Sequence, residues 1–313
     1  MAGAMTKQRI LVIGAGNFIG SRVVSALDGS DWATAIPQAG YLELAPASLS
    51  GVDGIFNATV GSPHAVIAAA RALYSATQEA SASMRIVQLS SMTVYGSVEG
   101  VVYESAAVSP DLGDYASAHI DAESIAAGHA NSVILRPGCE YGPQCPDWSR
   151  RIARLLLAHR LGDLGSAGDG FCNLVYIDDL ASAALASLRT SDIGGQAFNL
   201  AMPSPPTWNE YFIRFGVALG AVPIRRISAR RLKIEEKFLA PPLKAAQLVA
   251  HKFKIQTPFL APAVTPSLLR ACRQEIKLES AKAQSALSMS WTPLEEGLST
   301  AAADFLGTAS QPP

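Results

Sequence analysis

Two short segments carry the side chains best suited to moving a proton. The first is Ser90-Ser91-Met92-Thr93-Val94-Tyr95-Gly96 and the second is Tyr115-Ala116-Ser117-Ala118-His119. A tyrosine can give a proton to a substrate oxygen and take it back. Free tyrosine titrates near 10, so the site must tune it. The Tyr115 and His119 positions are four apart, which puts both rings on one face of a helix. A serine such as Ser91 can hydrogen-bond the same oxygen. Each residue taken alone also has a plain reading: a Ser-Ser pair closing a strand is a loop or cap, and a tyrosine at a helix start is packing.

The elements around these residues supply a second signal. Ile10 to Ile13 is a short apolar run ended by Gly14, the pattern of a buried parallel strand. Phe18, Ile19, Val23, Val24 and Leu27 then recur at helical spacing. Between them runs Gly14-Ala15-Gly16-Asn17-Phe18-Ile19-Gly20. Glycines there permit a tight turn, close approach of backbone to a pyrophosphate, and close packing of helix on strand. The helix N-terminus then receives the phosphates. Asn17 tolerates positive φ better than most residues, and its side chain would crowd the pyrophosphate. The plainer alternative is a turn that only packs a helix on a sheet.

A weak second strand, Ala33 to Ile36, leads into Pro37 and Gln38. An acid at such a strand end holds the ribose diol of NAD, and an arginine accommodates the 2′-phosphate of NADP. Neither is present. Gln38 can donate to the diol, and Gly40-Tyr41-Leu42 offers Tyr41 for stacking. NAD and NADP both stay open, as does loss of cofactor binding. Further on, Gly54 to Ala58, Arg85 to Ser90, Ser132 to Leu135, Asn173 to Ile177 and Gln196 to Leu200 read as strands. Pro63 to Ala80, Tyr115 to Ala127, Asp147 to Arg160, Asp178 to Leu188 and Trp208 to Leu219 read as helices. Asp111 and Asp114 stand where capping residues belong. Residues 223 to 262 fit neither pattern. Alternating strands and helices predict an α/β fold with a parallel sheet.

Taken together, the glycine turn, Ser91 and Tyr115 resemble the extended short-chain dehydrogenase/reductase family of sugar-nucleotide epimerases, dehydratases and related reductases. Arg136-Pro137-Gly138-Cys139-Glu140-Tyr141-Gly142-Pro143 is similar to its RPxxxYGP segment, which lines nicotinamide and substrate. Leu174-Val175-Tyr176-Ile177-Asp178-Asp179-Leu180-Ala181 is similar to VxVxDLA, where acids cap a helix, and Ser290 to Leu298 to a C-terminal GWxPxxxxxEGL. The resemblance implies a Rossmann-type doubly wound sheet with a smaller, partly helical C-terminal substrate region. The expected division is a core of residues 7–140, with 173–200 returning to it, and a substrate region of 141–172 and 201–309. It also implies NAD or NADP as cofactor, held by Gly14, Gly16, Asn17, Phe18, Ile19, Gly20, Gln38, Tyr115, His119 and Pro137. The implied catalytic set is Ser91, Tyr115 and His119. In the family a lysine stands four residues after the tyrosine; here it is His119. The family's turn is commonly GxxGxxG, and Asn17 takes its middle place. Met92 and Thr93 stand where 4,6-dehydratases carry Asp-Glu, which disfavours that elimination.

Bulk properties narrow the class. The 313 residues are 49% hydrophobic and 16% charged, a globular composition. A net charge of -1 argues against a nucleic-acid partner. No apolar run reaches the roughly 18 residues of a membrane span, and Met1 to Arg9 holds no apolar signal core; Met1 to Met5 includes what reads as an expression scar. The expectation is a cytoplasmic protein without a membrane partner. Cys139, Cys145, Cys172 and Cys272 form no CxxC pair and read as buried thiols. His64, His129, His159 and His251 share no ligand spacing, so no metal is expected. Arg150, Arg151 and Arg154 could meet a substrate phosphate or form a solvated helix face. The run from Arg225 to Lys237 could meet an acidic carrier or be simply exposed. Ala116, Ala118, Ala122 and Ala126 permit a homodimer helix contact and equally suit a monomer core. The leading expectation is an NAD(P)-dependent oxidoreductase or epimerase-like enzyme acting on a hydroxyl or carbonyl carbon of a small, rather apolar metabolite. Its rivals are a non-redox isomerase, cyclase or lyase on the same fold, and a catalytically dead dinucleotide-binding module.

Overall fold

The computed structural model describes residues 7–41, 44–80, 84–235, 237 and 262–309. Leu42, His251, Met1 to Met5 and most of the unassigned stretch after Lys237 lie outside the described residues. The chain runs β1 (Gln8–Ile13), α1 (Phe18–Asp28), β2 (Ala33–Gln38), β3 (Gly54–Asn57), α2 (Pro63–Ala80), β4 (Arg85–Leu89), β5 (Gly100–Val102) and α3 (Asp114–Ala126). There follow β6 (Ser132–Pro137), β7 (Cys139–Tyr141), α4 (Ile152–Leu157), β8 (Leu174–Tyr176), α5 (Ile177–Arg189) and β9 (Gln196–Leu200). The C-terminal part holds α6 (Trp208–Ala218), α7 (Ala229–Ile234), α8 (Pro266–Arg273), β10 (Ile276–Leu278), α9 (Ala281–Ala286) and α10 (Leu294–Ala309).

Two compact units divide the chain. The first comprises the residues up to Gly138, Val175–Pro203 and Leu278–Trp291. Its centre is a six-stranded parallel sheet ordered β2-β1-β3-β4-β6-β9. Strand alternation splits the core between the two faces. Ile10, Val12, Phe56, Val87 and Phe198 pack with Val23 and Leu27 of α1 and Leu180 of α5. Leu11, Ile13, Ile55 and Ile86 pack with Val66 and Leu73 of α2 and with Ala118, Ala122 and Ala126 of α3. The α3 alanines thus serve this chain's own core. Assigning 201–309 wholly to the substrate region needs correcting, since Leu278–Trp291 returns to the first unit through α9.

Among the described residues, β2 is the outer edge of the sheet. A doubly wound sheet usually continues past its second strand, but here a 3-10 turn, Pro46–Leu49, leads to β3 instead. The outward-facing N–H positions of β2 are closed off. Ala33 N donates to Ser30 Oγ (3.2 Å) and Ala35 N to Asp28 Oδ1 (3.0 Å), and Pro37 has no N–H to offer.

The second unit comprises Cys139–Leu174, Ser204–Lys277 and the chain from Thr292 onward. A capping box, Thr207 with Glu210, starts α6. That helix buries Trp208, Tyr211, Phe212 and Phe215, and Trp148 lies 5.2 Å from Trp208. The expected helix from Asp147 to Arg160 is instead a π-helical stretch, Pro146–Arg151, followed by the shorter α4. Proline stands in the first turn of the π-helical stretch, and α4 ends where His159 takes a left-handed φ of 51°. No described helix is long and apolar enough to cross a membrane.

Candidate active site

The sequence-derived candidates all lie in the first unit, at the C-terminal ends of its parallel strands or in α1 and α3. In such sheets, ligands bind outside those strand ends, where the connections switch faces. Here the switch falls at β1, flanked by β2 on one side and β3 on the other.

The turn after β1 is built as its glycines require. Gly14 has φ +78° and lies against the Ala58 backbone after β3. A Cβ on Gly20 would stand 2.2 Å from Gly14 O, so only glycine lets α1 start this close to the turn. Gly16 differs, because a Cβ there would meet nothing within 4 Å. Phe18 and Ile19 begin α1, with Ile19 in the core. Asn17 departs from expectation. Its φ is −87°, so no left-handed conformation is involved. It is the N-cap of α1: its Oδ1 accepts from Gly20 N (2.8 Å) and its Nδ2 donates to Ala58 O (2.7 Å). Both ends of the amide are thereby committed to the turn, away from the open space at Gly16.

Gln38 ends β2, and its carbonyl accepts from Gly14 N (2.9 Å) and Ala15 N (3.1 Å), which pins it beside the turn. Its side-chain Nε2 is buried with no hydrogen-bond partner. A buried amide left without a partner costs about 1–3 kcal/mol, a cost that an acceptor on a ligand would relieve. No Lys or Arg stands between Arg22 and Arg71, and Arg22 itself is paired with Asp178.

Ser91 follows β4 and caps a 3-10 turn, Met92–Tyr95. Its Oγ accepts from Thr93 N (3.3 Å) and Thr93 Oγ1 (3.1 Å), which leaves its own hydrogen to donate. Tyr115, in the first turn of α3, is 38% exposed, whereas His119, one turn on, is 0% exposed. Their rings meet edge to face at 4.6 Å. Both His119 nitrogens are buried without a hydrogen-bond partner. Burial drives the imidazole down to about 4, so the ring is neutral at neutral pH. Pro137 closes β6, paired with Leu200 of β9.

These features fit a bound dinucleotide. They comprise an open glycine at a helix N-terminus, an orphaned amide at the end of β2, and an orphaned imidazole beside the phenol. Among the described residues, no group of three or more His, Cys, Asp or Glu is placed to hold a metal ion.

Several neighbouring expectations are corrected. Asp111 does not cap α3, whose N-cap is Gly113; it binds Ser97 N (3.0 Å) and Ser97 Oγ. Asp178 pairs with Arg22 instead of capping α5. Arg150 meets Asp304 at 3.4 Å, and Arg151 donates to Ala263 O and Thr265 Oγ1, so both are engaged within the second unit. Sequence reasoning passed over Glu123 and Asn199 and quoted Tyr95 and Arg136 only as motif members; the four form a buried polar network beside the candidates. The available signal was a charge closing the apolar strand Ser132–Pro137, since a buried charge needs a partner.

A parallel sheet with a glycine turn at its switch point and a Ser, Tyr, His set on the adjoining strand end and helix defines a Rossmann-type α/β enzyme. More particularly, the chain belongs to the NAD dependent epimerase/dehydratase family, whose model matches residues 34–201. That places it among the extended short-chain dehydrogenase/reductases, an NAD(P)-dependent group. Solved structures share the fold. UDP-glucuronic acid 4-epimerase from Bacillus cereus, in complex with NAD, matches with a TM-score of 0.73 at 18% identity, over 97% of this chain and 100% of that one. RMD from Pseudomonas aeruginosa, complexed with NADPH, gives 0.69 at 16% identity over 96% and 100%. UDP-glucose 4-epimerase from Thermotoga maritima, with UDP-glucose, gives 0.69 at 17% identity over 97% and 100%. No curated protein sequence matches the chain.

Proposed function

We propose that the chain is an NAD(P)-dependent oxidoreductase or epimerase acting on a hydroxyl or carbonyl carbon of a small metabolite. The observation that carries this reading is the buried, unpartnered imidazole of His119 in ring contact with Tyr115. When bound, the dinucleotide supplies or accepts the hydride. The Gly14–Gly20 turn and the start of α1 would hold its pyrophosphate, Gln38 a ribose diol, and His119 a further ribose hydroxyl, with Pro137 lining the pocket. Ser91 donates its free hydrogen to the substrate oxygen. Tyr115 gives a proton to that oxygen in reduction and takes it back in oxidation. His119 puts no positive charge beside the phenol at neutral pH, so Tyr115 serves most readily as a donor. Carbonyl reduction is therefore the favoured direction near pH 7, and alcohol oxidation rises toward alkaline pH.

The same neutrality favours a second reading, a non-redox isomerase, cyclase or lyase using Ser91, Tyr115 and His119 for proton transfer alone. One support for that rival weakens, because the Asn17 amide is turned into the cap of α1. The deciding experiment is mass spectrometry of what the freshly purified, denatured protein releases, with titrations of NAD(H) and NADP(H). Micromolar binding of either supports the redox reading; no binding at millimolar concentration hands the site to proton transfer.

A further inference from the structure

Tyr115, His119 and Glu123 follow one another at intervals of four along α3, so they form one stripe on that helix. The third member is a carboxylate only 8% exposed. Its Oε1 accepts from Ser90 Oγ (2.5 Å) and Arg136 Nε (2.9 Å), and its Oε2 from Arg136 Nη2 (2.6 Å). Arg136, at the end of β6, is itself 7% exposed and sends Nη1 to Tyr95 OH (2.8 Å) and Glu104 O (3.1 Å). Tyr95 in turn donates to Asn199 Oδ1 of β9 (2.6 Å), and Asn199 N donates to Glu104 Oε1 (2.9 Å).

We propose that the Glu123–Arg136 pair is a positioning clamp, which sets the Ser90-Ser91 strand end against the Tyr115–His119 face of α3. The proposal rests on the roles given above to Ser91, Tyr115 and His119. A buried ion pair is a weak source of stability, because desolvation offsets most of its attraction. What this pair supplies is geometry. A bidentate guanidinium and carboxylate fix a plane and a distance, and Ser90 is the residue directly before Ser91. The clamp also occupies the acid one turn on from His119, on the same face of the helix. Both oxygens of Glu123 are taken, so this carboxylate does not draw a proton onto the imidazole.

The test compares Ser90→Ala, Ser90→Thr and the double variant Glu123→Gln/Arg136→Met, which removes both charges together. The readout is the rate at which diethylpyrocarbonate modifies His119 in the folded protein, followed by peptide mass spectrometry. His129, buried just beyond the end of the same helix, is the internal control. Ser90→Ala and the double variant are expected to speed His119 modification by about tenfold, as a local opening does, with His129 unchanged. Ser90→Thr, which keeps the hydroxyl, is expected to restore the wild-type rate. Unchanged His119 rates, or His119 and His129 rising together, would overturn the clamp and leave only general structural support. Should the double variant fail to fold, the Ser90 pair decides by the same criterion. Titration with NADH runs in parallel: a wild-type protein that does not bind it sinks the cofactor reading, while the His119 labelling still judges the clamp.

Discussion

At the scale of single residues, the fold buries two nitrogen-bearing groups, His119 and Gln38, and leaves them without hydrogen-bond partners. His119 titrates near 6.5 when unfolded and near 4 in the native protein, driven down by burial. The unfolded chain therefore binds a proton below about 6.5 that the native state refuses until about 4. Stability is lost as pH falls through that window and is unaffected above it, by about 2 kcal/mol between pH 7.5 and pH 5. Glu140 acts in the opposite sense, since burial raises its carboxyl to about 7. The readout is therefore a difference: urea midpoints for wild type and His119→Gln, with the wild type expected to show the steeper fall on acidification. His119→Lys should place a positive charge beside Tyr115 and move the alkaline limb of any oxidation to lower pH; an unmoved profile would remove His119 from the proton-transfer scheme. Gln38 is the second group. No Lys or Arg stands between Arg22 and Arg71, so β2 and the segment after it carry no cation of their own. Gln38→Arg is expected to raise NADP(H) affinity relative to NAD(H) by about tenfold, through a charge-assisted contact, as read by fluorescence titration.

At the scale of elements, the turn after β1 separates folding from binding. Gly20→Ala drives a methyl into the Gly14 backbone and should cost about 2 kcal/mol or more. Gly16→Ala meets nothing within 4 Å and should change stability by no more than about 0.5 kcal/mol. If the open side of Gly16 receives the pyrophosphate, that same methyl should weaken NADH binding while the urea midpoint stays put; intact binding would move the phosphate elsewhere. The edge at β2 makes a different prediction. Asp28→Ala with Pro37→Val frees one outward N–H and creates another, so sedimentation velocity should show self-association beyond that of the wild type. Much of this was legible in the sequence. The limits of α2 and β9 follow directly from apolar periodicity, and the strand, glycine turn and helix at the start announce themselves by composition. β5, β7 and β10, at three residues each, are too short to show a period. The sheet order, and the place of β2 at its edge among the described residues, are pairing facts that no single segment contains. Glu123 and Arg136 stand only 13 residues apart, but the network they enter reaches Ser90, Tyr95 and Asn199 on other elements, a set of pairings that no periodicity displays.

At the scale of the whole molecule, the two units can be followed by different side chains. Cys139, Cys145, Cys172 and Cys272 are all buried, and all fall in the second unit. Burial pushes the Cys145 thiol up to about 12 and raises Cys172 and Cys272 as well. Thiol reagents attack the thiolate, so Cys145, Cys172 and Cys272 are protected twice, by access and by protonation, and Cys139 is protected by access. His119 and Gln38, by contrast, report on the first unit alone. A chromogenic disulfide reagent at pH 8 should therefore find no reactive thiol in the native protein and four in urea. Below the unfolding transition, labelling should proceed only at the rate set by opening of the second unit, and it should quicken with denaturant as that opening becomes easier. Diethylpyrocarbonate modification of His119, followed over the same urea series, reads the first unit. Coincident curves would mean that the two units unfold as one cooperative body, and separated curves that each has its own stability. A thiol that reacts at once in the native protein would show that the second-unit core is more open than the burial of its cysteines implies.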